Sequence, residues 1–325
     1  MRRMSRRRLR LCALLCGLTI AHTAGVAVAQ SPVSTDPLLE PATTAAPTPL
    51  AAPNVPPQRV RFHQQPASVG DRLVQRLGVR LNLATKITQS GQTAHESTNE
   101  MRRQQERTIE VLQVVDGRAV RARATFAVSR RQSPENANPA ELTPQPIEGK
   151  TYLMSRIGEL LTVTDAEGAI PPLEEYKLVA ESLENVGKAN PLAELLTSRP
   201  IAVGERLLVP RDIVQPLLGF DDPLGTVHRF ELTLVRVDPA DAERPTPVGV
   251  FETAVEVRPD DRSPLAISLH GHMAIEIETC RLVAVDLTGP VQISSIERTA
   301  GGIFQFSAGG DLNMAIRSQY DRFAK

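Results

Sequence analysis

A mainly β fold of long, twisted antiparallel strands with one inserted helical segment is predicted for this chain. Apolar and polar residues alternate over long stretches between residues 77 and 277, the rhythm of strands with one buried and one wet face. Asp116-Gly117 separates two such runs and is a strong two-residue hairpin signal. Aromatic residues make up only 3% of the chain and tryptophan is absent. The core must therefore rest on Leu, Ile and Val, and an aromatic platform for sugar stacking is not expected.

Each element follows from the local pattern. Leu77, Val79, Leu81, Leu83 and Ile87 share one face of the first long strand, with Arg80, Asn82 and Lys86 on the other. Residues 109–115 lead into Asp116-Gly117, and Val120, Ala122, Ala124, Phe126 and Val128 continue the rhythm on the return strand. A helical insertion spans about 171–197. Pro171 and Pro172 favour its start, and Leu173, Tyr176, Ala180 and Leu183 recur at helical spacing. Gly187 stops it, and residues 191–196 add a short further turn of helix. Strand runs resume at Phe230, Leu232 and Leu234, then at Phe251, Val255 and Val257. The last clear run is Leu265, Ile267, Leu269, Met273, Ile275 and Ile277, interrupted at Gly271. Residues 161–168 echo residues 282–289, and Val115-Asp116 echoes Val237-Asp238 at nearly the same offset. Either an internal duplication or the shared Asp/Gly vocabulary of strand ends accounts for this.

The first residues read as an export signal, residues 1–29. Arg2, Arg3, Arg6, Arg7, Arg8 and Arg10 precede an apolar run at 11–21, and Ala27-Val28-Ala29 fits a signal-peptidase site. The run is too short for a permanent bilayer span, which needs roughly 20 apolar residues, so no integral membrane protein is expected. Residues 5–9 suit either a twin-arginine signal or an ordinary arginine-rich leader. Neither Cys12 nor Cys16 follows a good lipidation motif. Cleavage would leave Cys280 alone, without an internal disulfide, in a periplasmic, cell-envelope or extracellular setting. Residues 30–68 are rich in Pro, Ala and Thr and read as a disordered tether. Residues 69–325 form the β-rich domain.

Charge is uneven. Six of the 37 basic residues lie in the leader, leaving 31 against 37 acidic residues. Residues 70–131 carry 12 basic and 6 acidic residues. That surplus would suit an anionic partner. The favoured reading is that oppositely charged strands pair across one sheet, and no nucleic acid is expected.

Catalytic signatures are sparse. His270, His272, Glu276, Glu278 and Cys280 are all even-numbered, so a regular strand would present them on one face. A His-x-His pair on a strand can grip a metal ion, with His270, His272 and Glu276 as candidate ligands. The His-x-His-x3-Glu spacing resembles the first motif of cupin metalloproteins. Pro264 and Val283 stand where that motif has glycines, however, and no histidine follows His272. A polar outer face is the default reading. No Gly-x-Ser-x-Gly elbow, phosphate loop or dinucleotide fingerprint occurs. Catalysis is the weaker class, and no cofactor is expected.

Residues 203–206 (Val-Gly-Glu-Arg) and 281–290 resemble phrases in a group of secreted bacterial β-proteins of unassigned function. The pattern of leader, tether, long strands and inserted helix is broadly similar to periplasmic Lol-type lipoprotein carriers. That resemblance implies a large curved antiparallel sheet, an open half-barrel whose apolar concave face shelters acyl chains. The fold class is then mainly β, at the margin of α+β, and the leading expectation is an envelope protein binding a lipid or lipidated partner. Leu269, Met273, Ile275, Phe304 and Phe306 are the expected cavity lining. The alternatives are a structural or protein-interaction module without a small ligand, and a metal-dependent enzyme using His270 and His272. Oligomeric state is not encoded in these patterns.

Overall fold

The computed structural model describes residues 58–132, 141–217, 226–241, 244–259, 264–299 and 302–321. The expected leader and the tether up to residue 57 lie outside the described residues. Fourteen strands follow in order: β1 (Arg59–Val60), β2 (Arg72–Gln89), β3 (Gln92–Val115), β4 (Arg118–Gln132), β5 (Leu142–Pro144), β6 (Thr151–Ile157) and β7 (Leu160–Asp165). After them come β8 (Ile201–Ala202), β9 (Arg206–Leu208), β10 (Thr226–Asp238), β11 (Val248–Arg258), β12 (Leu265–Glu276), β13 (Leu282–Thr299) and β14 (Gly302–Asp321). Three helices interrupt them: α1 (Leu173–Leu183), α2 (Pro191–Thr197) and α3 (Arg211–Leu217).

Twelve strands form one antiparallel sheet in the order β7-β6-β4-β3-β2-β14-β13-β12-β11-β10-β9, with β5 added on β4. The sheet is not closed into a barrel: β7 and β9 are its two edges. β1 and β8 make a separate two-stranded ribbon. The predicted mainly β class is therefore observed. Its halves are two meanders, β2-β3-β4-β6-β7 and β9-β10-β11-β12-β13, laid in the same sense and joined where β14 pairs with β2. The echoed phrases occupy equivalent places in them. Residues 161–165 and 282–286 lie in the fifth strand of each meander, and Val115 and Val237 near the end of the second.

Turn chemistry acts as expected at Asp116 and Gly117. Both take positive φ (50° and 73°), which the two-residue hairpin between β3 and β4 requires. The alternation predicted for β4 shifts partway. A bulge near Glu106 and Arg107 pairs them with Val128 and Phe126. As a result Ser129, rather than Val128, is buried beyond Phe126. On the outer face, Arg76–Glu106 (3.0 Å), Arg80–Glu100 (2.6 Å) and Lys86–Glu96 (2.8 Å) bridge β2 and β3. These pairs join two strands that both lie within the basic segment 70–131, so they do not offset its surplus.

The concave face carries two large apolar cores and a small cluster at Leu77 and Ile316. Under α1, Ile109, Ala122, Ala124, Phe126, Tyr152, Met154 and Val163 meet Val179 and Leu183. The larger core joins β10–β14 and part of β2 to Leu192 and Leu196 of α2, Val214 of α3, and Ile201 of β8. The inserted helical segment is thus present as two helices with Gly187 between them. α3 was not expected from the sequence.

The ordered fold also begins earlier than residue 69. Val203 N–H donates to Gln58 O (2.8 Å), and His63 N–H donates to Ile277 O (2.8 Å). Between them Val60 and Phe62 are buried, and Phe62 lies 5.7 Å from the Phe251 ring. Burying a phenylalanine stabilises by roughly 2 kcal/mol, which fixes a segment whose composition reads as tether.

Close strand approach depends on glycine. A Cβ at Gly310 of β14 would collide with the Asn82 carbonyl of β2, whereas one at Gly309 would meet nothing. Gly310→Ala should therefore lower stability by about 2 kcal/mol or more, while Gly309→Ala should stay within about 1 kcal/mol of the parent. Denaturant melts of both variants check this, and equal effects would contradict it.

Candidate binding site

The central strands β2 and β14 build one apolar strip. Register places Leu77 opposite Ile316, Val79 opposite Met314, Leu81 opposite Leu312, and Ile87 opposite Phe306. Alternate residues share a face, so these side chains line up along the concave side. Leu77 and Ile87 are ten residues apart, about 33 Å at the usual strand rise. Leu81 and Leu312 are fully covered, whereas Ile87, Phe304 and Phe306 are half-buried. On the neighbouring strand β3, Asn99 and His95 are exposed at that level. The strip therefore loses its cover toward the β13–β14 hairpin.

At the other end the same face becomes polar. Leu77 is followed by Gln75, and Ile316 by Ser318, and both newcomers are buried. Gln75 Nε2 donates to Ser318 Oγ (3.2 Å). Arg107 of β3, opposite Gln75, donates from Nε (3.0 Å) and Nη2 (2.6 Å) to Gln75 Oε1, and from Nη1 to the Ser182 carbonyl. Gln105 Nε2 donates to Ser182 Oγ (3.3 Å), and Ser129 Oγ donates to Gln145 Oε1 (3.0 Å). Burial, and then the charge of Arg103, push the Arg107 guanidinium down to about 10. It still carries its positive charge at neutral pH.

These contacts also hold α1. Its last carbonyls form the negative end of the helix dipole. Arg107 takes Ser182 O, while Arg156 takes Glu184 O and Val186 O, the latter at 2.8 Å. At the other end of α1, Glu175 accepts from Lys150 Nζ (2.7 Å) and Tyr152 Oη (2.6 Å). The sheet thus grips both termini of α1.

A cleft of about 470 Å³ opens between the β3–β4 hairpin and the segment after α1, lined among others by Gly117, Arg118, Gly187, Lys188 and Arg281. Arg281 pairs with Asp71 (2.6 Å) and stands 4.9 Å from the Tyr320 ring centroid. Tyr320 is not itself part of the cleft lining; it stands two residues along β14 from Ser318. Burial pushes the Tyr320 phenol well above its ordinary value.

The residues expected from sequence fall in three places. Leu269, Met273 and Ile275 are buried within the larger core. Phe304 and Phe306 stand half-buried where the strip opens. His270, His272 and Glu276 point to the opposite, convex face, with both histidines exposed. His272 sits across from Asp286 and Glu252 in register. Among the described residues no three His, Cys, Asp or Glu side chains gather as a metal-ligating group. Cys280 departs from the expected row. The strand ends at Glu276, a turn follows, and Cys280 (φ 52°) enters the core. Burial pushes its thiol up to about 11, which disfavours the nucleophilic thiolate.

The buried polar seam was missed. Met101 to Thr108 shows no apolar alternation, so Arg107 reads as a wet-face residue. Only the register with Gln75 and Ser182 reveals its burial.

No protein-family model matches the chain, and no curated relative matches it. Among solved structures, lipovitellin, in a structure described for its lipid–protein interactions, is similar at 8% identity and a TM-score of 0.34. That match covers 79% of this chain and 26% of the lipovitellin chain, so this chain spans about a quarter of that neighbour's length. A deltaS2S3 mutant of the TodX monoaromatic hydrocarbon channel is similar at 8% identity and TM-score 0.17, covering 77% and 91% of the two chains. The MucA/MucB complex of Pseudomonas aeruginosa follows at 10% identity and TM-score 0.10, covering 73% and 88%. None of these likenesses is close enough to place the chain in a family.

The clamp on α1 should be acid-sensitive. The Lys150 hydrogen bond, then that of Tyr152, holds the Glu175 carboxyl below its ordinary value. Its contribution is therefore complete above the unfolded-state pKa of about 4.3 and is lost as pH falls through the lower folded value. Glu175→Gln should cost about 1 kcal/mol or less at pH 7, since Lys150 is half-exposed. That difference should shrink toward zero in melts at the acid end. A pH-independent difference would contradict the clamp.

Proposed function

We propose that this chain is an exported cell-envelope binding protein that holds the acyl chain of a lipid or lipidated partner against its concave sheet face. The carrying observation is the strip along β2 and β14, buried from Leu77 and Ile316 to Leu83 and half-open at Ile87, Phe304 and Phe306, beyond the Thr85–Ala308 row. Each methylene moved from water onto such a surface contributes about 0.8 kcal/mol. The leader at residues 1–29 supports export. Leu269, Met273 and Ile275 back the strip from within the core, while Phe304 and Phe306 stand at its mouth.

A second reading has one observation in its favour. The outer edge of β7 has no strand partner among the described residues, and the adjoining hairpin exposes Ile157 and Leu160. A protein partner could add a strand there.

Titration with the fluorescent fatty acid cis-parinaric acid separates the two. Uptake by the parent is expected, and Phe306→Asp or Ile87→Asp should weaken it by about tenfold or more. Ile157→Asp should leave it unchanged. Absence of uptake, or uptake indifferent to Phe306→Asp and Ile87→Asp, would contradict the acyl-binding reading.

A further inference from the structure

Four strands run past the packed body of the sheet at one end. Pairing of β12 with β13 stops at Ile293, and pairing of β4 with β3 stops at Arg103. The ends of β2, β3, β13 and β14 continue together beyond those points. Ser90 N–H donates to Ile303 O (2.9 Å), which ties the β2–β3 turn to β14 and makes the four ends one flap.

Two observations set this flap apart from the rest of the sheet. The first is that large apolar side chains occupy both of its faces. Ile87, Phe304 and Phe306 share the concave side and are half-buried. By the alternation of β13 and β14, Ile296 and Ile303 stand on the convex side, 66% and 50% exposed. Ile296 pairs with Gln305 and Ile303 with Arg298, a diagonal placement that makes the two isoleucines neighbours. The second observation is charge. The convex face carries the Lys86–Glu96 ion pair (2.8 Å) at the base of the flap. Residues 88–94 beyond it carry no charge, and residues 295–306 carry only Glu297 and Arg298, of opposite sign.

A protein partner packs against one face of a sheet, whereas a bilayer surrounds an inserted end and buries both faces alike. Ile303 and Phe306 are three residues apart, about 10 Å along a strand. That span matches the roughly 5–10 Å depth reached by apolar groups that lie in the interfacial zone.

We propose that the flap formed by the ends of β2, β3, β13 and β14 docks on a phospholipid bilayer. Ile296 and Ile303 enter on one side, and Ile87, Phe304 and Phe306 on the other. The tip is neutral, so attachment is apolar and needs no anionic lipid. The inference goes beyond acyl binding by giving the half-open end of the strip a membrane to face. Ile296 and Ile303 point away from that strip, so the two readings can fail separately.

Absence of tryptophan from the chain supplies the test. Ile303→Trp and Ile296→Trp each place one indole on the flap. Ile157→Trp places one on the β6–β7 hairpin, where the native side chain is 78% exposed. The full-length variants are titrated with phosphatidylcholine vesicles. Both flap variants should show blue-shifted emission and quenching by brominated acyl chains, and Ile157→Trp should show neither. Adding Ile296→Asp to Ile303→Trp should raise the lipid concentration at half-shift about tenfold or more. High salt should leave the shift unchanged, and Ile296→Asp should take up cis-parinaric acid as the parent does.

No shift at either flap position, or an equal shift at Ile157→Trp, would overturn membrane docking and leave the acyl reading untouched. A shift that requires anionic lipid and vanishes in salt would overturn it in favour of charge attraction. A blue shift that grows with protein concentration in the absence of lipid would overturn it in favour of a second copy covering the patch. Should the aspartate variant not fold, the contrast between the flap indoles and Ile157→Trp decides alone.

Discussion

The pairing of β14 with β2 is the constraint on which the molecule depends. Every residue from Phe304 to Asp321 has a register partner between Arg72 and Gln89, more than two hundred positions away in the chain. Without it the two meanders would be separate sheets, each with an exposed inner edge. With it, they become one surface, and the strands that join them supply the apolar strip. Such remote pairing carries a loop-closure cost that must be met before the contacts form. The sheet is therefore complete only when the last strand is in place. Gly310 permits that closeness, because any side chain there would strike β2.

A polar seam lies between the two apolar cores, and this is the least economical part of the fold. Arg107, Gln75, Gln105, Ser129 and Ser318 occupy interior positions that Leu or Val would fill at lower desolvation cost. They contribute a latch on α1 and a positive charge at the head of the strip. The latch fixes α1 over its core, and Arg103, Arg156 and Thr253 are further polar residues buried in the interior. The convex face, by contrast, carries its charges in cross-strand ion pairs that water screens.

Much of this architecture is legible in the sequence because period-two patterning survives wherever one face is buried. Leu265, Ile267, Leu269, Met273 and Ile275 are all buried, and the Asp116-Gly117 turn stands between β3 and β4. Legibility fails where another constraint competes. The bulge opposite Arg107 moves burial from Val128 to Ser129, and no local signal marks it. Val60 and Phe62 are hidden by a proline-rich context, although the β1–β8 pairing and the Phe62–Phe251 ring contact hold them in place. Cys280 turns inward because the strand ends at Glu276, so parity counted along the chain no longer applies. α3 carries Pro216 within its seven residues, a residue that argues against a helix in the sequence. Of the site, the apolar strip is visible as alternation in β2. The cation that begins it is not, since a buried arginine and a solvated one look alike in one dimension.

Photo-crosslinking with a diazirine-bearing fatty acid, mapped by mass spectrometry, tests most directly whether the suture of β2 and β14 is also the ligand's bed. The account predicts adducts on Ile87, Phe304 and Phe306, where the strip is half-open. Adducts confined to the β7 edge or to the convex face around His270 and His272 would contradict it.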